Sequence, residues 1–392
     1  MSIVQTHIHT AELLLADYDG KLPFPEYARQ YFREHKKHGS RDRRSILGFC
    51  YAYFRMGFSL QQESILNNIL AGLFLMNAVA DSALTTLDPE WAENIERPLR
   101  EKLIKVKERF ADFNPRQIFP HSDLISEGIE SDAFVTSHLQ QPSLFVRIRP
   151  GNHQKIQERL DKLLVHYEIL SPDTIRLPNG FDLNSISSTD LELVVQDLSS
   201  QRVSELLVEV ISDQKSFEIW DCCAGSGGKS LMLYDRFPGC RLSVSDIRTS
   251  ILINLEKRFQ SAGLQSQNIL VADLEKRNVP EYRGRFDLVI ADVPCTGSGT
   301  WGRNPEWLRF FDTKRMDHQV KRQLSIAHHA AEGVKPGGYF LYITCSVFRQ
   351  ENEEQAEALQ ALTGLRLVKS SLLKGYTETA DTMYAALFTL PA

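Results

Sequence analysis

Long apolar runs are missing from this sequence. No stretch approaches the length needed to cross a bilayer, and the N-terminus lacks a basic segment followed by an apolar stretch and a small-residue cleavage site. Neither a membrane span nor a secretory leader is expected. Cysteine is sparse as well. The six cysteines, at 50, 222, 223, 240, 295 and 345, have neither the Cys-x-x-Cys spacing of a zinc site nor the density of a disulfide scaffold, so they read as free thiols in a reducing cytoplasm. Histidines are scattered, with His35 and His38 in a basic stretch and His328-His329 in an apolar helical one, and no metal site is expected. Charge of one sign is also scarce: the formal net charge is −5, so a polyanionic partner would have to be met by a local basic patch. No internal repeat or low-complexity tract is found.

What remains is an ordinary globular composition, 42% hydrophobic and 24% charged, in 392 residues, a length that suggests two or three domains. Residues 1–115 carry broad helical apolar faces, as in Ser45 to Phe54 and Ser64 to Leu75, and predict a small helical domain. Residues 116–205 change to short strands around a helix. Ser143 to Arg149 stops at Pro150-Gly151, then Gln154 to His166 is amphipathic, which predicts a small α+β module. From 206 to 392 strand and helix patterns alternate: strands at Phe217 to Cys222, Arg241 to Ser245, Asn268 to Ala272, Phe286 to Ala291 and Tyr339 to Thr344, helices at Ser250 to Gln260 and Val320 to Glu332. The expected fold class is α/β, a doubly wound parallel sheet covered on both faces.

Chemistry concentrates at the expected strand ends. The first strand runs into Asp221-Cys222-Cys223-Ala224-Gly225-Ser226-Gly227-Gly228-Lys229-Ser230 and then a helix. Glycines let a ligand approach the backbone there, and the helix N-terminus offers free N–H donors. Such a turn serves a dinucleotide, a nucleoside cofactor or tight packing alike. Its end also looks like a phosphate-binding loop, without that loop's first glycine at the right spacing. Asp246 ends the second strand, where a carboxylate can accept from ribose hydroxyls, Asp273 ends the third, near an adenine position, and Asp292 ends the fourth. Each is equally readable as a helix cap or turn residue. Together they fit S-adenosylmethionine. Cys295 and Cys345 follow the fourth and fifth strands, so two thiols distant in sequence converge on one crevice, an arrangement suited to covalent catalysis.

On these motifs the chain resembles the Sun (Fmu) type RNA cytosine-5 methyltransferases. Asp221, Cys223, Ala224, Gly227, Gly228 and Lys229 match that family's glycine motif. Asp292 to Cys295 with Gly297, Gly299 and Arg303 to Glu306 match its fourth-strand motif, and Thr344-Cys345-Ser346 with Glu351-Asn352-Glu353 its fifth. Gln196-Asp197-Leu198-Ser199-Ser200 matches its lead-in. The likeness covers about residues 140 to 390. Gly225 and Ser226 stand where the family has Ala-Pro and Ser230 where it has Thr, departures that predict a looser cofactor turn. The resemblance implies a Rossmann-like S-adenosylmethionine-dependent methyltransferase domain, with Cys223 to Lys229, Asp246, Arg248, Asp273 and Asp292 holding the cofactor.

It also implies that Cys345 attacks cytosine carbon 6, that Asp292 and Lys229 stabilise the adduct, and that Cys295 assists release. The product would be 5-methylcytosine in ribosomal RNA, with transfer RNA as the alternative substrate and a catalytically silent RNA-binding assembly factor as the alternative role. For RNA contact the expected residues are Lys36, Lys37, Arg41, Arg43 and Arg44 in a basic cluster, Arg147 and Arg149 on one strand face, which an ordinary half-exposed strand explains nearly as well, and Trp301 and Arg303 in a loop mobile by composition, where Trp301 reads equally as a base-stacking aromatic or a packing residue. Beyond RNA no partner is expected, and the expected state is monomeric.

Overall fold

The computed structural model describes residues 2–187, 190–208, 210–211, 217–264, 268–276 and 282–392. The chain divides into two units: Met1–Asp123 with Ile129–Gln141 and Thr300–Asp312, and Leu124–Gly128 with Pro142–Gly299 and Thr313–Ala392. The expected boundaries at 115/116 and 205/206 therefore do not partition the chain. Among the described residues no helix is long and apolar enough to cross a membrane.

The first unit is helical: α1 (Ile3–Asp17), α2 (Phe24–Glu34), α3 (Ser40–Arg55), α4 (Ile65–Met76), α5 (Ser82–Leu87), α6 (Pro89–Glu93), α7 (Leu99–Arg109), α8 (Ser131–Ser137) and, from the returning segment, α14 (Trp307–Phe310). Side chains set the starts. Ser2, Ser64, Asp81 and Asp88 each accept from a backbone N–H of the first turn, as N-caps do. The core holds Phe24, Phe54, Phe74, Trp91 and Phe119, each worth about 1.5–3 kcal/mol on burial. Arg55 explains why the unit runs beyond 115 and reclaims 300–312. Its buried guanidinium donates to the carbonyls of His138 (2.7 Å), Gln140 (3.2 Å) and Gly302 (2.7 Å).

Trp301 lies in that returning segment with 1% of its surface exposed, packed against Phe119 and Phe311 at ring-centroid distances of 5.6 and 5.0 Å. Base stacking, one of its two readings from the sequence, is replaced by core packing. Arg303 is exposed. Of the basic cluster, Lys36, Lys37, Arg41 and Arg44 are exposed, while Arg43 turns back to donate to the His38 carbonyl (2.9 Å) with its guanidinium over the Phe32 ring.

The second unit contains two sheets. β1 (Leu144–Ile148), β2 (Glu168–Ser171), β3 (Thr174–Leu177) and β4 (Leu193–Val195) pair antiparallel in the order β2-β3-β1-β4, and α9 (His153–Lys162) buries Ile156 and Leu160 against Val146 and Ile148. The larger sheet comprises β5 (Glu218–Asp221), β6 (Arg241–Asp246), β7 (Asn268–Val271), β8 (Phe286–Asp292), β9 (Val334–Thr344), β10 (Arg366–Lys374) and β11 (Thr382–Thr389), in the order β10-β11-β9-β8-β5-β6-β7. Pairing is parallel from β9 to β7 and antiparallel through β11 and β10, so the sheet is mixed where an all-parallel one was expected.

Its strands are apolar on both faces because both are covered. Leu288 and Ile290 of β8 join the core under α12 (Gly228–Arg236) and α13 (Thr249–Ser261), while Val289 and Ala291 face α15 (Thr313–Ala331) and α16 (Glu353–Thr363). Strand order reverses between β5 and β8, and a crevice opens there, outside the strand ends.

The two sheets are tied by charge. Arg147 and Arg149, two residues apart on β1, are both nearly buried and converge on Asp235 of α12, with N–O distances of 2.7 and 2.8 Å, and Arg149 also donates to the Ala262 carbonyl (2.6 Å). These guanidiniums are withdrawn from the RNA contact expected of them, because a buried carboxylate already takes both. The same tie is why no domain break falls at 205/206. Asp235→Ala would strand two buried cations, and a loss of about 3–5 kcal/mol is expected in denaturant unfolding. An unchanged midpoint would show that the tie is energetically idle.

Candidate active site

The crevice measures about 680 Å³ and is lined by the β5–α12 turn and by the ends of β6, β7, β8 and β9. The turn leaves β5 at Asp221 and enters α12 through Gly227, whose φ of +83° favours glycine and whose added Cβ would lie 2.7 Å from Phe259. Ala224 N donates to the Ser245 carbonyl (2.9 Å) and Gly225 N to the Asp246 carboxylate (3.1 Å), which fixes the turn against β6. Arg258 braces the other side, donating to the Ser226 carbonyl (3.0 Å) while paired with Asp190 (2.7 Å). The looseness expected from Gly225-Ser226 is thus countered by a side chain on α13.

Asp246 is buried, and burial alone would raise its pKa. Hydrogen bonds from the side chain and backbone N–H of Arg248 and from Gly225 N outweigh this and lower it, so the carboxylate is held ionised at the crevice wall. Arg248 therefore serves the site through Asp246. Asp273 is half-buried on the same wall, two residues past the end of β7, and accepts from Lys276 N (3.3 Å). Backbone donors at a glycine turn with carboxylates beyond the next two strands fit a nucleoside whose ribose and base lie along the strand ends.

Asp221 was matched in the sequence only as a motif position. Its side chain is buried, Ser230 donates to one oxygen (2.5 Å), and the other has no partner. Burial pushes its pKa up to about 7, from an ordinary value of 3.8. The folded protein therefore keeps a proton that the unfolded chain releases above about pH 4, so this group's stabilisation is full below that pH and fades as pH rises through about 7. Asp221→Asn, which mimics the protonated form, should be relatively more stable near pH 8 than near pH 5. Parallel pH dependence of wild type and variant in urea unfolding would contradict the assignment.

At the opposite wall, Lys229 Nζ donates to Asp292 Oδ2 at 2.7 Å. Burial would lower the Lys229 pKa, but the Asp292 carboxylate outweighs it and raises the value, so the ammonium persists. Beside this pair Cys345, just past β9, and Cys295, three residues past β8, stand with their sulfurs 3.2 Å apart and unbonded. The thiol of Cys295 is raised well above the ordinary range, first by its hydrogen bond with Cys345 and then by burial. The loop after Cys295, mobile by composition, is instead knit in place: Ser298 is buried, its hydroxyl lies 3.0 Å from that of Ser346, and Gly299 N donates to the Cys345 carbonyl (2.9 Å). The glycine turn, Asp246, Asp273, Asp292, Lys229 and Cys345 share one crevice, with Cys295 at sulfur contact beside it. Among the described residues no group of three or more His, Cys, Asp or Glu side chains is placed to hold a metal.

The family profile described as 16S rRNA methyltransferase RsmB/F matches residues 208–388, the stretch that builds this crevice. Over these residues the chain is similar to the RsmB/F methyltransferase family. Ribosomal RNA small subunit methyltransferase B of Sodalis glossinidius is 28% identical over 236 residues, covering 58% of this chain and 52% of that protein. The protein of the same name from Xylella fastidiosa strain 9a5c is 31% identical over 193 residues, covering 49% and 43%. The chain thus spans about half the length of the curated relatives it matches. Among solved structures, PH0851 superposes with a TM-score of 0.69 at 18% identity over 99% of both chains. NSun6 from Pyrococcus horikoshii with SFG gives 0.56 at 13% identity over 66% of this chain and 94% of that one. At those identities the likeness is one of fold.

Proposed function

We propose that the chain binds S-adenosylmethionine in the crevice and uses it to methylate carbon 5 of cytosine in RNA, ribosomal RNA before transfer RNA. The observation that carries this reading is the contact of two thiols beside an ion-paired carboxylate, opposite a cradle suited to a nucleoside. S-Adenosylmethionine, when bound, supplies an electrophilic methyl group. The chain's own residues do the rest. The Cys345 thiolate forms a bond to carbon 6, and the electrons of the 5,6 double bond become available at carbon 5. Asp292, held by Lys229, faces the ring-nitrogen edge and stabilises the adduct. Once Cys345 is bonded to carbon 6, the hydrogen bond that raises the Cys295 thiol is gone; Cys295 gives its proton to water and, as the thiolate, takes the carbon 5 proton, the sulfur–carbon bond breaks with Cys345 leaving as a thiolate, and the double bond re-forms.

Reaching the base requires an unpaired or flipped nucleotide, and the exposed Lys36, Lys37, Arg41 and Arg44 offer phosphate contacts for the RNA. Six free cysteines suit a reducing cytoplasm, the proposed location.

Ligand-linked thermal stability tests the cofactor assignment against nucleotide hydrolysis. S-Adenosylhomocysteine at a hundred times its Kd should stabilise the protein by about 2.7 kcal/mol without metal. Asp246→Ala should weaken that binding by roughly 10- to 100-fold through loss of a charged acceptor. Stabilisation by ATP with magnesium instead would favour a hydrolase and overturn the proposal.

A further inference from the structure

We propose that Glu351 is a positioning residue for Cys295: from a buried site it fixes the backbone on both sides of that cysteine and so sets the sulfur against Cys345. The inference rests on the methyltransferase reading above and adds a residue to its release step.

Glu351 lies in the short turn between β9 and α16, and its side chain is fully buried. A buried carboxylate is retained only where donors surround it, and the donors here identify its task. Thr296 N donates to Oε1 (2.9 Å) and the Thr296 hydroxyl to Oε2 (2.5 Å). Gln323 of α15 donates through Nε2 to Oε1 (2.7 Å) and to the Pro294 carbonyl (3.1 Å). Pro294 and Thr296 are the two neighbours of Cys295, so one carboxylate and the amide it orients hold the peptide units on both sides of the thiol. The Glu351 carbonyl in turn accepts from Tyr342 of β9 (2.9 Å), which anchors the clamp to the sheet.

Cys345 has a separate holder. Asn352 donates to the Ser346 carbonyl (3.0 Å) and accepts from the Thr344 hydroxyl (2.5 Å), again flanking the cysteine on both sides. Consecutive residues thus grip different thiols, and the two chemical steps can be perturbed one at a time.

The experiment compares formation and persistence of the covalent protein–RNA complex in wild type, Glu351→Ala, Glu351→Gln and Thr296→Val, using an RNA that wild type methylates. Positioning to within an ångström is commonly worth about 100-fold. Glu351→Ala should therefore slow release of the adduct roughly 10- to 100-fold and lower kcat accordingly, with KM for RNA and affinity for S-adenosylhomocysteine within about twofold. Glu351→Gln should restore most of the release rate, because its Oε1 can accept from both Thr296 N and Gln323.

Thr296→Val removes one donor without emptying the buried site, and it should accumulate adduct to a smaller degree. It carries the test if Glu351→Ala does not fold. Adduct release at the wild-type rate in Thr296→Val and Glu351→Ala would overturn the positioning role, as would equal losses in adduct formation and release. Failure to find any RNA that wild type methylates would instead overturn the methyltransferase reading, so the two failures are distinguishable.

Discussion

Cys345→Ala should abolish methyl transfer, lowering the rate by roughly four orders of magnitude or more, as loss of a covalent nucleophile does in other enzymes. Carbon 5 of cytosine is a poor nucleophile until a sulfur adds at carbon 6, and neither neighbour of Cys345 supplies that addition: Lys229 is held as an ammonium on Asp292, and the Cys295 thiol is raised by its contact with Cys345 and by burial while that contact lasts. Binding of S-adenosylhomocysteine should be unchanged, because the cradle is built from the β5–α12 turn and Asp246, with no hydrogen bond from the Cys345 side chain. The measurement is single-turnover methyl transfer alongside calorimetric binding. Turnover within tenfold of wild type would remove Cys345 from the nucleophile role.

Cys295→Ala has the opposite signature. Addition and methyl transfer proceed, but the carbon 5 proton has no acceptor, and the protein should remain bound to RNA through Cys345 as a complex that survives denaturation and electrophoresis. The double variant with Cys345→Ala should show none. The contrast is large because the sulfurs are only 3.2 Å apart, so one thiol can reach carbon 5 when the other is bonded to carbon 6. A Cys295→Ala protein that turns over freely would assign the proton to another base.

Much of this site was legible before any coordinates. Short apolar runs such as Leu288 to Ala291 and Tyr339 to Ile343, leading into Asp, Cys or Thr, suit strands buried on both faces, and residues at their ends meet at one edge of the sheet. The α/β class, the cofactor turn, Asp246, Asp292, Cys295 and Cys345 followed from that. The misreadings share a physical cause, the partner's distance in sequence. Arg147 and Arg149 looked solvent-facing because Asp235 lies 88 and 86 residues away, beyond any local pattern. Trp301 was equally readable as a stacking or a packing aromatic, and the choice is made by Phe119, far away in sequence, onto which the segment folds back. The return of 300–312 to a helical unit whose main body ends near residue 141 likewise has no local signature in the sequence. Glu351 carried a usable signal, a Glu-Asn-Glu motif with no assigned chemistry, and Gln323 carried none; their shared hold on Pro294 and Thr296 appears only in three dimensions.

The most direct test is transfer of labelled methyl from S-adenosylmethionine to RNA from cells lacking this protein, offered both as free RNA and as assembling ribosomal particles, with mass analysis of the digested nucleosides. Labelled 5-methylcytidine, absent with Cys345→Ala, is the expected product. Label on any other nucleoside, or none on either substrate despite tight binding of S-adenosylhomocysteine, would contradict the cytosine-5 methyltransferase assignment.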